Sequence, residues 1–383
     1  MTAIKRIDAW NCRVPLDVPV RFKWGTITHR DYAVVRIQTS DGLEGHGLAI
    51  SRGAPIDVAV VDMIAPLIIG MEAEDVGAIQ AEILRRTASG DRHGILANAR
   101  SLVDIALWDI RGRAMESPIW RLLGGNRQDA GVLLVEGYEL PNESDEDFAA
   151  RLAKRAADGY PVLKLEAAGY DDYRVLQRRL QLTRQLAGPD VQLVVDVNGA
   201  WTSVREAADA INTFATVDLA WVEDPFPRHQ LHDIGKLRGL VETPLAAGDD
   251  ITDPRALYRL IQEEMVDVLR VDATTLGGIG PTADVIGFAR QHGVTVSGHA
   301  YPSVHQHLTF AWPDMPWVEA FPDELPFEPS HKLLTQSAYS RVVNGRLSAP
   351  EAPGLGTELR MEAVERFSLR HGALGGDNTL VQT

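Results

Sequence analysis

Three short segments of this 383-residue chain each end an apolar run on an acid: VVDVNGAW offers Asp196 with Asn198 just behind it, WVEDPFP offers Glu223 and Asp224, and AAGDDI offers Asp249 and Asp250. The steps from 196 to 223 to 249 are 27 and 26 residues, close to the roughly 31 residues per strand-and-helix unit of an eight-unit barrel of about 250 residues. With that spacing, three neighbouring strands present a carboxylate to one spot. Like charges brought so close repel one another or trap a proton. A hard divalent cation resolves the conflict, and oxygen donors that leave positions for water and substrate point to Mg²⁺. Asp249 is the third donor in this reading, with Asp250 able to share or take that duty. Singly, each acid reads as well as a helix cap or a solvated loop residue; the periodic series is what argues for a site.

The progression continues. LRVDATTLGG puts Asp272 at the next strand end, and VSGHAYPS puts His299 at the one after. An aspartate beside a histidine fixes its tautomer and stabilises its charged form, which is a general-base arrangement. WVEAF brings Glu319 at an eighth strand, where a barrel-mouth salt-bridge residue is the plainer alternative. VLKLEAAGY closes an apolar run on Lys164 and Glu166, two positions apart, so both side chains leave the strand on the same side.

These residues need a frame that gathers strand ends. Eight apolar runs, GVLLV, PVLKL, VQLVV, LAWVE, PLAAG, VDVLRV, VTVSG and WVEAF, alternate with amphipathic stretches such as DYRVLQRRLQLTRQL and SVREAADAINTF. Strand and helix in alternation predict a parallel α/β barrel, whose catalytic groups sit at the C-terminal strand ends. Before residue 130 the pattern differs. A strand AIKRIDAWNCRVP, a polar loop LDVPVRFKWGTITHR and a turn at Asp41-Gly42 suggest a small antiparallel unit, followed by helices over 56–69, AEDVGAIQAEILRR and NARSLVDIALWDIRGRAM. The segment PEAPGLGTELRMEA reads as an irregular return across the surface.

Composition excludes more than it identifies. A net charge of −15 argues against a nucleic-acid surface, and the single cysteine, Cys12, excludes an internal disulfide framework or a cysteine-rich metal site. With no apolar run long enough for a secretory signal or a membrane span, the expectation is a cytoplasmic enzyme with no membrane partner.

Taken together, these residues resemble the enolase superfamily and, within it, the mandelate racemase subgroup. ALWDIRGRAMESPIWRLLGG is similar to the family's junction between its two domains, and NGRLSAPEAPGLGTEL to its C-terminal signature. The resemblance implies an α+β capping domain at 1–125, a modified (β/α)8 TIM barrel at 126–350 and a segment at 351–383 that returns to the capping domain. It implies Asp196, Glu223 and Asp249 as Mg²⁺ ligands, Asp272 and His299 as a base dyad, and Glu319 hydrogen-bonded to a substrate carboxylate. It also implies a small-molecule carboxylate substrate whose α proton is removed, and a homo-oligomer, dimer or octamer.

Two departures from the family bear on the reaction. Members commonly carry Lys-x-Lys where this chain has Lys164-Leu165-Glu166; Lys164 matches the first lysine, and the second base is missing. Glu166 is open to three readings: an electrostatic partner of Lys164, a second acid/base or donor to a leaving hydroxyl, or an extra metal ligand. The loss weakens two-base racemisation and leaves dehydration intact. The other departure is Asp249 in place of the usual glutamate. The lid segment RFKWGTITHR carries Arg21, Lys23, Trp24, Thr26, His29 and Arg30, read as a polar cover for a polyol or a second carboxylate. Lys23, Trp24, Asn198 and Tyr138 are the candidate substrate contacts, with Tyr301 a further hydroxyl for the wall. The expected activity is dehydration of an aldonate or aldarate to a 2-keto-3-deoxy acid. A racemase or epimerase, a lactone cycloisomerase, and a non-catalytic relic that keeps the metal are the alternatives.

Overall fold

The computed structural model describes residues 2–22, 25–90, 93–140, 142–170, 172–323, 327–375 and 380–382. Two sheets organise the chain. The first is antiparallel and built on a long hairpin, β1 (Ile4–Phe22) with β2 (Gly25–Thr39), extended by β3 (Glu44–Ile50) on one side and by Ser368–Gly375 and Leu380–Gln382 on the other. The described residues of the stretch read from sequence as a polar loop, 16–22 and 25–30, are therefore part of this hairpin. Its ladder breaks between Pro15 and Val20, where proline offers no N–H, and resumes from Val20↔Ile27 to Phe22↔Gly25.

The second sheet is the barrel. Its strands are β4 (Asp129–Val135), β5 (Val162–Glu166), β6 (Gln192–Asp196), β7 (Trp221–Glu223), β8 (Leu245–Ala247), β9 (Val268–Val271), β10 (Thr295–Gly298) and β11 (Trp317–Ala320). All neighbouring pairs from β4 to β10 are parallel, and β11 pairs β4 to bring the sheet round on itself. Each of the eight apolar runs is one of these strands. Helices follow the first seven; after β11 the described chain instead makes short 3₁₀ turns at Pro329–Leu333 and Ala338–Arg341. This is the modified barrel.

The helix Ile95–Ala114 joins the two halves. Its apolar residues are buried nearly all round, including Leu102, Val103, Ile105, Ala106 and Leu107, as expected for a helix with packing on every side. Toward the barrel it makes two directed contacts: the Gly277 amide donates to Ser101 Oγ and the Ile279 amide to Asp104 Oδ1, each at 2.7 Å. Both bonds land on the loop that follows Asp272. No helix among the described residues is long and apolar enough to cross a membrane.

Candidate active site

Register places the acids at one level. Glu166 on β5 stands opposite Asp196 on β6, and Asp196 opposite Glu223 on β7. Asp249 arrives differently, beyond the end of β8, where Gly248 takes φ +138° and passes so close to β9 that a Cβ would lie 2.1 Å from the Arg270 carbonyl oxygen. That approach seats the shorter aspartate where a carboxylate from the wall can meet the other two. One oxygen each from Asp196, Glu223 and Asp249 lies within 4.8 Å of the others, and all three side chains are buried. Asp250 turns away in a left-handed conformation (φ 57°) and pairs with Arg52, so Asp249 is the member of the pair that faces the other two acids.

The triad fits a hard divalent ion by its donor set alone. Three oxygen donors converge from three rigid strands, and burial pushes Asp196 upward and Asp249 up to about 7 despite His299 and Arg270. Carboxylates so placed favour a cation that removes their reason to hold protons.

Two buried cations share the remaining charge. Lys164 Nζ lies 2.5 Å from Glu223 Oε1, 3.0 Å from Asp196 Oδ2 and 3.1 Å from Glu319 Oε2. Burial opposes its charge, but these three acids outweigh it and hold its pKa well above the usual lysine range. Arg270, fully buried in the middle of β9, donates from Nε to Asp249 Oδ1 at 3.1 Å, from Nη1 to Ser297 Oγ and from Nη2 to Glu319 Oε2, both at 2.5 Å. Sequence reading passed over Arg270, although a lone cation inside the run VDVLRV, two positions before Asp272, was the available signal. Burial raises Glu223, but Arg270 and Lys164 pull it below the ordinary carboxylate range.

The dyad is formed. His299 Nδ1 lies 3.0 Å from Asp272 Oδ2, while Nε2 points toward the triad, 3.5 Å from Asp249 Oδ2. Asp272 Oδ1 accepts from the Thr274 amide and hydroxyl, each at 2.7 Å, which fixes the carboxylate that orients the ring. Burial works against the imidazolium, yet Asp249 and Asp272 together carry its pKa up to about 10.

Glu319 accepts from the Ala300 amide at 2.9 Å as well as from both cations. Glu166 is buried and accepts from the Ala168 amide at 3.0 Å; Lys164 directs its ammonium to the other acids. Asn198 is exposed at the mouth, its amide bonded to Asp196 Oδ1 at 2.9 Å. Tyr138 packs against Phe327 at 4.5 Å between ring centroids, within a buried apolar cluster that includes Val20 and, from the lid segment, Phe22. The described part of the lid is thus more apolar toward the barrel than expected. Arg30 donates to the Phe327 carbonyl at 2.6 Å, and Tyr32 to Glu328 at 2.5 Å. Lys23 and Trp24 lie outside the described residues. The Tyr301 hydroxyl accepts from the Ile50 amide at 2.7 Å, which makes it a tie between β3 and the end of β10.

Known proteins share these two domains. Residues 6–124 match the model of the mandelate racemase / muconate lactonizing enzyme N-terminal domain, and residues 147–364 the enolase C-terminal domain-like model. The chain is 29% identical to L-talarate/galactarate dehydratase of Salmonella typhimurium over 86% of its own length and 81% of that protein's. It is 26% identical to D-galactarolactone cycloisomerase of Agrobacterium fabrum, over 92% and 96%. Among solved structures, L-talarate dehydratase of Polaromonas sp. JS666, complexed with Mg and L-glucarate, superposes with a TM-score of 0.87 at 25% identity, covering 98% of this chain and 100% of that one. By its fold and both matching domains, this chain belongs to the mandelate racemase/muconate lactonizing enzyme family of the enolase superfamily.

Proposed function

We propose that this protein is a Mg²⁺-dependent dehydratase of an acid sugar, removing the proton α to a carboxylate and expelling the β-hydroxyl. The observation that carries the reading is a single oriented base, His299 on Asp272, at the edge of three convergent carboxylates. Asp196, Glu223 and Asp249 would hold the ion, which supplies positive charge for a substrate carboxylate as its second negative charge develops. His299 Nε2 takes the proton from carbon 2 while Asp272 keeps Nδ1–H in place. The imidazolium then returns that proton to the departing 3-hydroxyl on the same face, so water leaves and the enol ketonises to a 2-keto-3-deoxy acid. Lys164 adds a buried ammonium where charge accumulates. Glu319, an acceptor for two cations and a backbone amide, is supported as a residue that positions Lys164 and Arg270 rather than one that donates to substrate. Asn198 and Tyr138 would line the substrate's path at the mouth.

The relatives' names point the same way, since dehydratases of talarate/galactarate, gluconate and arabinonate align over most of the chain. One observation favours a second reading, an epimerase or lactone cycloisomerase. Sheet order puts His299's strand and Glu166's strand on opposite flanks of the triad, so Glu166 could exchange a proton on the other face. A cytoplasmic homo-oligomer, dimer or octamer, belongs to the same proposal and is checked by light scattering.

The test is a screen of mono- and diacid sugars with Mg²⁺ for 2-keto-3-deoxy products, with α-proton exchange followed in deuterium oxide. His299→Asn should lose product by about 10²- to 10⁴-fold while retaining stabilisation by Mg²⁺. Exchange without elimination, abolished in Glu166→Gln, would replace the dehydratase by the second reading.

A further inference from the structure

Asp272 and His299 stand just past the ends of neighbouring strands. The pairing of β9 with β10 ends at Val271↔Gly298, and the His299 amide adds one more bond, to the Val271 carbonyl at 2.9 Å. Beyond it the two loops part. The loop after His299 is strained: Ala300 and Tyr301 both take left-handed backbone, φ 50° and 39°, which costs free energy for residues that carry a Cβ and persists only where the surroundings hold it. Glu319 Oε1 accepts from the Ala300 amide at 2.9 Å, and the Tyr301 hydroxyl accepts from the Ile50 amide at 2.7 Å.

A further hold comes from His305, in the first turns of the helix Pro302–Ala311. Its Nδ1–H donates to the Ala300 carbonyl at 2.8 Å, and its Nε2 accepts from the Ala273 amide at 2.9 Å. One ring thus grips the residue after the acid and the residue after the base. The side chain has no exposure, and the neutral tautomer with its proton on Nδ1 is the form that serves both bonds. Burial keeps its pKa below the usual histidine range although Asp272 pulls it upward. Nε2 also stands 3.7 Å from Asp272 Oδ1, the carboxylate oxygen that His299 leaves free. The strand makes room for this ring: a Cβ on Gly298 would lie 2.9 Å from His305 Cβ.

Building on the acid sugar reading, we propose that His305 is a positioning residue for the base: it clamps the loops after β9 and β10 to each other and so sets the distance and angle between Asp272 and His299. Being fully buried, it acts through the dyad and not on substrate. A general base works only from a narrow range of positions, and a displacement of about 1 Å costs on the order of a hundredfold in rate.

The test uses the full chain loaded with Mg²⁺ and the acid sugar it turns over fastest. His305→Phe keeps a ring and loses both bonds. His305→Asn can keep the donor to Ala300, and His305→Gln the acceptor for Ala273, because their amides reach the positions of Nδ1 and Nε2. His305→Phe should lower kcat about 10- to 100-fold, with KM changed less than about threefold and Mg²⁺ affinity by calorimetry unchanged. Exchange of the α proton in deuterium oxide should slow in step, and each amide variant should recover part of the loss. In a crystal structure of Mg²⁺-loaded His305→Phe, the contact of His299 Nδ1 with Asp272 Oδ2, 3.0 Å here, should open beyond about 3.5 Å. A folded variant with that contact and kcat both unchanged overturns the clamp, and so does a fall in kcat with the contact unchanged. Should His305→Phe fail to fold, the amide variants carry the same comparison. An opened contact with undiminished turnover keeps the clamp and removes His299 as the base. If no acid sugar gives product or exchange with the wild type, dehydration falls and the contact alone decides the clamp.

Discussion

Taking away the Arg270 side chain would strip a counter-charge from Glu223, Asp249 and Glu319 at once, since its guanidinium lies within 3.3 Å of all three. Breaking a buried ion pair by deleting one partner costs about 3–5 kcal/mol, because the other charge stays buried. Arg270→Met is therefore expected to unfold in urea with a loss of that size in chelator, and Mg²⁺ should recover part of it by relieving the acids. Equal urea midpoints for variant and wild type would sink this account of the barrel's charge balance. The ionic core also shows where the sequence spoke and where it did not. The three convergent acids, the His299–Asp272 pair and Glu319 were legible because each follows or closes an apolar run at barrel spacing. Lys164 was found as a residue; its ammonium makes its ion pairs with Asp196, Glu223 and Glu319, and it acts on Glu166 through its charge alone. Which carboxylate a buried lysine chooses depends on three strands at once, and no single strand encodes it.

Among the elements, the loop after β9 depends on the helix Ile95–Ala114. Gly278 takes φ +112°, and a Cβ there would sit 2.1 Å from Asp104 Oδ1, the atom that accepts from Ile279. Gly278→Ala combines a backbone conformation that L residues avoid with a collision against that contact, and should destabilise by roughly 2 kcal/mol or more, read as a lowered thermal midpoint. Because the same loop begins at Asp272, kcat should fall with it. A stable Gly278→Ala enzyme with undiminished turnover would show that the helix does not support the dyad. The barrel strands were readable because burial on both faces leaves near-continuous apolar runs. The lid hairpin was not, since PLDVPVRF carries two prolines and alternating polar residues, and its pairing is set by β2 across a broken register. Local composition describes a loop there; the partner strand makes it a hairpin.

At the scale of the molecule, His307 stitches three regions together. The Trp120 amide donates to its Nδ1 at 3.3 Å, and its Nε2 donates to the Leu355 carbonyl at 3.2 Å, joining the end of the capping domain, a barrel helix and the C-terminal return. Burial depresses its pKa to about 4, below the roughly 6.5 of an unfolded histidine. The unfolded chain thus takes up a proton first as pH falls. The neutral ring's contribution is complete above about pH 6.5 and is lost on the way down to about 4. Urea midpoints should decline across that window, and His307→Gln should flatten the decline; an identical slope in the variant would place the acid sensitivity elsewhere. The capping sheet has a consequence of another kind. β1 lies between β2 and the strand Ser368–Gly375, and Asp8 meets His371 across 363 residues of chain. On the ribosome, β1 finds β2 within moments, but its other edge waits until almost the whole polypeptide has been made. At about 5–20 residues per second, that is tens of seconds during which an unpaired strand edge is open to other nascent chains. Whatever shields that edge in the interval, a chaperone or the neighbouring helices, governs how much of this protein reaches its folded state.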